Sequence, residues 1–118
     1  MIDNSLSIAG TDPTGGSGIH ADLKVFSALG NYGAAGITAL VAQNTCAVQS
    51  IHNLPGEIVA SQLESVLTDV RIDSVKIGML SNATNISIVA AALEKYSLSF
   101  TVLDTVMLAK SGGTIIGC

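Results

Sequence analysis

A glycine-rich segment at positions 10–18 is the part of this sequence best suited to hold a ligand. It reads GTDPTGGSG and lies between a short apolar segment, positions 6–9, and a helical spacing of apolar residues that begins at Ile19. Where a strand turns into a helix, free backbone N–H groups and the helix dipole favour an anion or a polar ligand. The alternative is a tight strand-to-helix turn that holds no ligand.

The two common nucleotide-binding loops do not fit this segment. A P-loop needs a lysine after its second glycine, and Gly16 occupies that position here. A dinucleotide-binding fingerprint needs an acidic residue about 20 positions further on to hold a ribose. No acidic residue lies between Asp22 and Glu57. Both interpretations therefore lack a residue that their chemistry requires.

Asp22 lies on the same face of the predicted helix as Ile19, Leu23 and Phe26. A charge within an apolar stripe costs free energy unless it is paired or belongs to a site. We therefore expect Asp22 at a functional site, and we expect its replacement by asparagine to leave stability equal or improved. The alternative is a carboxylate at the edge of the stripe that reaches water or acts as a cap.

Three other polar residues are candidates for contact with a ligand, because each follows an apolar segment. Gln43 ends one such segment, and its amide suits a heterocycle that carries a ring nitrogen and an amino group. Asp104 follows another, where a carboxylate can hold Mg²⁺ or orient a phosphate. Lys110 can contact a phosphate. Ordinary strand-end, turn or surface positions are the alternatives for these residues.

Strand-like and helix-like segments alternate along the chain. Apolar spacing predicts helices that begin at Ile19, near Pro55 and near Asn82, and Gly30 is expected to end the first. Positions 36–42 are expected to form a strand buried on both faces. The predicted strands occupy positions 6–9, 36–42, 47–54, 74–77 and 100–103. The face predicted for the third helix consists of Ile86, Val89, Leu93 and Tyr96.

This alternation predicts βαβ units, a mostly parallel sheet and an α/β layered fold. In such sheets, ligands bind beyond the carboxyl ends of the strands. The segments that follow the predicted strands are positions 10–18, 43–44, 78–79 and 104–110. We therefore expect one site at that end of the sheet.

The length and composition fit one globular domain or part of one. Of 118 residues, 48% are hydrophobic and 12% are charged, which excludes a disordered chain. A net charge of −4 supplies no basic face for nucleic acid, and no apolar run approaches the roughly 18–20 residues of a membrane span. The cysteines, Cys46 and Cys118, form no zinc-binding pattern, and we expect a cytoplasmic protein.

Four segments in order closely resemble the hydroxymethylpyrimidine/phosphomethylpyrimidine kinases of thiamine biosynthesis. They are LSIAGTDPTGGSGIHADLK at 6–24, TALVAQNT at 38–45, VRIDSVKIGML at 70–80 and LDTVM at 103–107. The resemblance covers about positions 5–112, which correspond to the N-terminal half of those enzymes. It implies a three-layer, ribokinase-like α/β fold with a mostly parallel sheet, and positions 1–118 would form a single, partial kinase domain.

The resemblance also implies an activity and a set of site residues. Such enzymes use MgATP to phosphorylate the hydroxymethyl group of 4-amino-5-hydroxymethyl-2-methylpyrimidine and then the monophosphate. By this resemblance, Gly10 and Asp22 border the pyrimidine, and Gln43 contacts its ring nitrogen and amino group. Met79 and Val106 would pack on the ring, and Asp104 would be the catalytic carboxylate near the metal and the phosphates.

Family members continue beyond the segments found here, with an Asn-x-x-Glu segment for Mg²⁺ and a late glycine-rich anion hole. We therefore expect a truncated form that carries the acceptor half of the site, is inactive alone and associates into homo-oligomers. Thr114–Cys118 does not resemble the family's continuation. Two alternatives are a non-catalytic pyrimidine-binding fragment or pseudoenzyme, and a pyridoxal-type kinase on the same fold.

Overall fold

The computed structural model describes residues 2–98 and 100–104, in which five strands alternate with three helices. The strands are β1 (Asn4–Gly10), β2 (Tyr32–Gln43), β3 (Val48–Asn53), β4 (Ser74–Ile77) and β5 (Thr101–Leu103). The helices are α1 (Gly18–Ala28), α2 (Gly56–Leu67) and α3 (Ala83–Lys95). None of these three helices is long and apolar enough to cross a membrane.

The five strands form one mostly parallel sheet in the order β3-β2-β1-β4-β5. β1 pairs in parallel with both β2 and β4, and β4 pairs in parallel with β5. β3 is antiparallel to β2, as a strand that follows a short turn must be. The expected α/β fold with a mostly parallel sheet is confirmed, and the carboxyl ends of four strands meet at one edge.

Two glycines of β2 show that helices cover both faces of the sheet. A Cβ at Gly36 would lie 2.9 Å from a methyl carbon of Leu63 in α2. A Cβ at Gly33 would lie equally close to Leu23 of α1. Since side chains alternate between the faces of a strand, α1 covers one face, whereas α2 covers the other. The described residues therefore form three layers, with the sheet in the middle.

The apolar core lies between the sheet and the layer of α2 and α3. On β1, Leu6 and Ile8 point into this core, whereas the buried residues Ser5 and Ser7 point towards α1. The core consists of Leu6, Ile8, Val59, Leu63, Val75, Ile77 and Val89. The α1 side of the central strands thus has a polar layer, from which the site is built.

Two sequence-based expectations about burial are wrong. β2 is not buried on both faces throughout, because Leu40 is 49% exposed. On α3, Ile86 is 55% exposed, although Val89 is buried as expected. The buried stripe instead begins at Asn85, whose amide donates to the Leu80 carbonyl. The amide anchors this face of the helix, which apolar spacing alone did not indicate.

Candidate functional site

A cavity of about 610 Å³ opens at the carboxyl ends of the parallel strands. Five residues that the sequence singled out line it: Gly10, Asp22, Gln43, Met79 and Asp104. Val106 and Lys110 lie outside the described residues. The segments that follow β1, β2, β4 and β5 thus meet at one cavity, as the strand-end rule predicts.

The glycine-rich segment is organised by Asp12, a buried residue that the sequence analysis did not single out. Its carboxylate accepts hydrogen bonds from the Thr14 N–H (2.9 Å) and hydroxyl (2.8 Å), the Gly16 N–H (3.1 Å) and the Ser17 hydroxyl (2.9 Å). Burial opposes ionisation of Asp12, but these donors outweigh it and hold its pKa below the usual value. An aspartate directly before a proline, as in Asp12-Pro13, is a turn signal that could have indicated this role.

In the same segment Gly18 requires the absence of a side chain, and Gly10 leaves space at the cavity. Gly18 has a φ of +59°, and a Cβ there would collide with the carbonyl oxygen of Gly10. A Cβ at Gly10 would lie 3.0 Å from the Met79 Cε atom at the cavity. The absence of side chains lets the backbone pass close to both Met79 and the start of α1. Ser17 and Gly18 line the cavity at the N-terminus of that helix.

Gln43 presents an amide at the end of β2. Its Nε2 donates to the Thr11 carbonyl at 3.1 Å, and no described residue bonds to its Oε1. The pairing of β2 with β3 shifts between Ala42 and Gln43, and such a bulge re-aims a side chain. The neighbouring lining residues Val41, Ile51 and Met79 are apolar. The arrangement places an oriented amide beside apolar surface. The amide suits the polar edge of a heterocycle, and the apolar surface suits its flat ring.

A second polar group at the cavity consists of two carboxylates joined by a lysine. The carboxylate of Asp22, a residue only 7% exposed, accepts from the Ser7 hydroxyl at 2.6 Å and from Lys76 Nζ at 2.5 Å. Lys76 Nζ also lies 3.4 Å from Asp104 Oδ2. Burial acts to lower the pKa of Lys76, but the two carboxylates outweigh it and raise that pKa. Lys76 was missed in the sequence, where a lysine between two buried apolar residues of β4 was the available signal.

Asp104 differs from Asp22 in its exposure. Its backbone N–H donates to the Ile77 carbonyl at 2.8 Å, which extends the pairing of β5 with β4 by one residue. Its side chain is 53% exposed at the mouth of the cavity. Asp104 is therefore a carboxylate that solvent and a ligand can both reach, whereas Asp22 is enclosed.

Comparison with known proteins identifies the family. A profile of the phosphomethylpyrimidine kinase family matches residues 12–117. The chain belongs to this family. The hydroxymethylpyrimidine/phosphomethylpyrimidine kinases of Salmonella typhimurium and Escherichia coli are each 58% identical to it over 113 residues, which cover 96% of the chain. The resemblance seen in the four sequence segments is thereby confirmed.

Solved structures of phosphomethylpyrimidine and pyridoxal kinases share the fold. The phosphomethylpyrimidine kinase of Clostridium difficile has a TM-score of 0.86 and 45% identity over 89% of the chain. The pyridoxal kinase of Staphylococcus aureus, in complex with pyridoxal, has a TM-score of 0.81 and 30% identity over 93%. The expected ribokinase-like fold is confirmed. The chain spans 42% of the two curated relatives and 48% of the Clostridium structure.

Proposed function

We propose that this chain forms the acceptor-binding part of a kinase that phosphorylates 4-amino-5-hydroxymethyl-2-methylpyrimidine, and then its monophosphate, with ATP as phosphate donor. The observation that carries the proposal is the cavity of about 610 Å³, which an amide, apolar side chains and a lysine-bridged carboxylate pair line together. Its volume suits a single small heterocycle. Membership of the phosphomethylpyrimidine kinase family supports the choice of heterocycle.

In this proposal, Gln43 and its apolar neighbours recognise the pyrimidine ring. The Oε1 atom of Gln43 accepts from the amino group of the pyrimidine, and the Nε2 hydrogen that does not bond to Thr11 donates to a ring nitrogen. Met79 packs against the ring, and Gly10 leaves room for both. Val106 is proposed to pack on the ring as well. The methyl group of the ring requires only apolar surface.

The hydroxymethyl group lies, in this proposal, beside Asp22. The carboxylate of Asp22 has further lone pairs beyond those used by Ser7 and Lys76, and one accepts a hydrogen bond from the acceptor hydroxyl. Its burial excludes competing water, since Asp22 is only 7% exposed. The acceptor oxygen is thereby oriented for attack on a phosphoryl group.

Asp104 is the proposed catalytic carboxylate on the phosphate side. Mg²⁺ is usually held by one or two carboxylates together with substrate phosphates and water, and one exposed carboxylate at the cavity mouth fits that pattern. When bound, Mg²⁺ neutralises charge that develops on the transferred phosphoryl group. The backbone N–H groups at the N-terminus of α1, where Ser17 and Gly18 line the cavity, suit phosphate oxygens.

Calorimetric titration of the chain with the hydroxymethylpyrimidine and, separately, with pyridoxal tests the proposal. We expect heat of binding at a single site for the pyrimidine and weaker binding for pyridoxal. Tighter binding of pyridoxal would favour the pyridoxal-type kinase, a fold neighbour at a TM-score of 0.81. A coupled assay with MgATP then tests turnover, which we expect to be absent from these 118 residues alone.

Self-association and a cytoplasmic location complete the proposal. Homo-oligomers are supported by the apolar side chains that β5 exposes at one edge of the described sheet. Such edges and apolar patches favour association with another chain. The cytoplasmic location stays a prediction.

A further inference from the structure

Lys76 occupies an unusual position in the described part of the fold. It lies in the middle of β4, between Val75 and Ile77, which are both buried in the apolar core. Because side chains alternate along a strand, Lys76 points to the opposite face, towards α1 and the cavity. Among the described residues that line the cavity, it is the only lysine or arginine.

The contacts of Lys76 join two carboxylates that differ in burial. Its Nζ is 2.5 Å from Asp22 Oδ1 in the enclosed part of the cavity and 3.4 Å from Asp104 Oδ2 at the mouth. The other oxygen of Asp22 accepts from Ser7. Both oxygens of Asp22 are thus held, one by a neutral donor and one by a cation, which leaves the carboxylate little freedom to rotate.

A buried charge that loses its partner is strongly destabilised, whereas a paired and hydrogen-bonded one is tolerated. Lys76 therefore provides the compensating charge for Asp22 in its enclosed position. An ammonium has three donors, so two carboxylates leave one of them for water or a ligand.

We propose that Lys76 is a positioning residue, which orients Asp22 for the acceptor hydroxyl and couples it to Asp104 at the mouth of the cavity. This inference rests on the proposed function, because it takes the acceptor to be the ligand that Asp22 contacts. Lys76 acts through Asp22 and need not touch the ring. A lysine that only stabilises β4 would have no such effect on the ligand.

A double-mutant cycle on acceptor binding tests the inference. We expect Lys76→Met to weaken binding of the hydroxymethylpyrimidine about tenfold, which corresponds to roughly 1.4 kcal/mol. In an Asp22→Asn background the same change should alter affinity less than about twofold, because the group it positions is gone. Lys76→Arg, which keeps the charge, should recover most of the affinity. Lys95→Met removes an exposed lysine of α3 and is the matched control.

A second measurement separates failure of this inference from failure of the proposed function. Without ligand, urea unfolding should show that Lys76→Met loses stability and that Asp22→Asn restores part of it. Coupling in stability with no coupling in affinity would make Lys76 structural and overturn the inference while the function stands. A wild-type chain that binds no pyrimidine would overturn both. If Lys76→Met does not fold, Lys76→Gln serves instead, because it removes the charge that joins Asp22 to Asp104, and it should weaken binding relative to Lys76→Arg.

Discussion

The two buried carboxylates near the cavity are stabilised in different ways. Asp12 is surrounded by neutral donors, namely two N–H groups and two hydroxyls of its own loop. Asp22 instead has one hydroxyl and one ammonium, both from strands of the sheet. Asp12 therefore holds the conformation of a loop, whereas Asp22 connects a helix to the sheet. Their substitutions should have different consequences for stability and for binding.

Asp12 should make the stability of the chain depend on acid pH. Its lowered pKa means that the ionised form stabilises the fold above the ordinary value of about 4, and that this contribution is lost as pH falls below it. We expect the free energy of unfolding to fall more steeply between about pH 5 and pH 2 for wild type than for Asp12→Asn. Urea unfolding at several pH values measures the difference, and parallel curves would contradict it.

Gln43 should carry much of the recognition of the ring. Gln43→Leu keeps the volume but leaves the polar edge of the heterocycle unpaired, and it also removes the donor to Thr11. The expected loss is roughly 1–3 kcal/mol of binding free energy, measured by calorimetry. Gln49→Leu changes an exposed glutamine of β3 that does not line the cavity and is the control. Equal affinities of wild type and Gln43→Leu would refute the assignment.

Sequence reasoning found the residues that interrupt a pattern and missed those whose partners lie far along the chain. Asp22 and Gln43 are conspicuous because each is polar within or directly after an apolar run. The pairing of Asp22 with Lys76 spans 54 positions, and no local pattern predicts it. That pairing reverses the expectation for the stability of Asp22→Asn. The change leaves a partly buried ammonium without its nearest carboxylate, so the free energy of unfolding should fall.

At the level of elements, the turn from β1 into α1 depends on Gly18. A Cβ at its φ of +59° costs about 1–2 kcal/mol, and the collision with the Gly10 carbonyl adds to that. Gly30 has a φ of +80° but open space around it, so Gly30→Ala measures the conformational cost alone. We expect Gly18→Ala to lose clearly more stability than Gly30→Ala in urea unfolding. Equal losses of stability would show that the turn accommodates a Cβ at position 18 without additional strain.

The order of strands and helices could be predicted for two reasons. Glycines and prolines separate the segments, and the spacing of apolar residues changes from one segment to the next. All five strands and three helices expected for the described residues are present. The buried faces were harder to predict, since they depend on tertiary contacts. Asn85 enters the buried face of α3, where its amide donates to the Leu80 carbonyl, and Leu40 of β2 is 49% exposed.

At the scale of the whole molecule, the two edges of the described sheet are unequal. β3 at one edge is antiparallel, and two of its side chains, Val48 and Ile51, line the cavity. β5 at the other edge is three residues long and is preceded by Phe100, which is 68% exposed. Val102 and Leu103 of β5 are exposed as well. The second edge is therefore where contact with another polypeptide would bury most apolar surface.

This asymmetry predicts concentration-dependent self-association through the β5 edge. Burial of apolar side chains contributes roughly 25 cal/mol per Å², so three large exposed residues at this edge of the described sheet favour pairing with a second chain. Sedimentation velocity over a range of concentrations should show association for wild type, and Phe100→Lys should weaken it by placing a charge at the contact. Ile86→Lys, which alters an exposed apolar residue of α3 rather than of β5, should have no effect. A monodisperse monomer at every concentration would contradict the prediction, and an equal effect of both substitutions would move the contact away from β5.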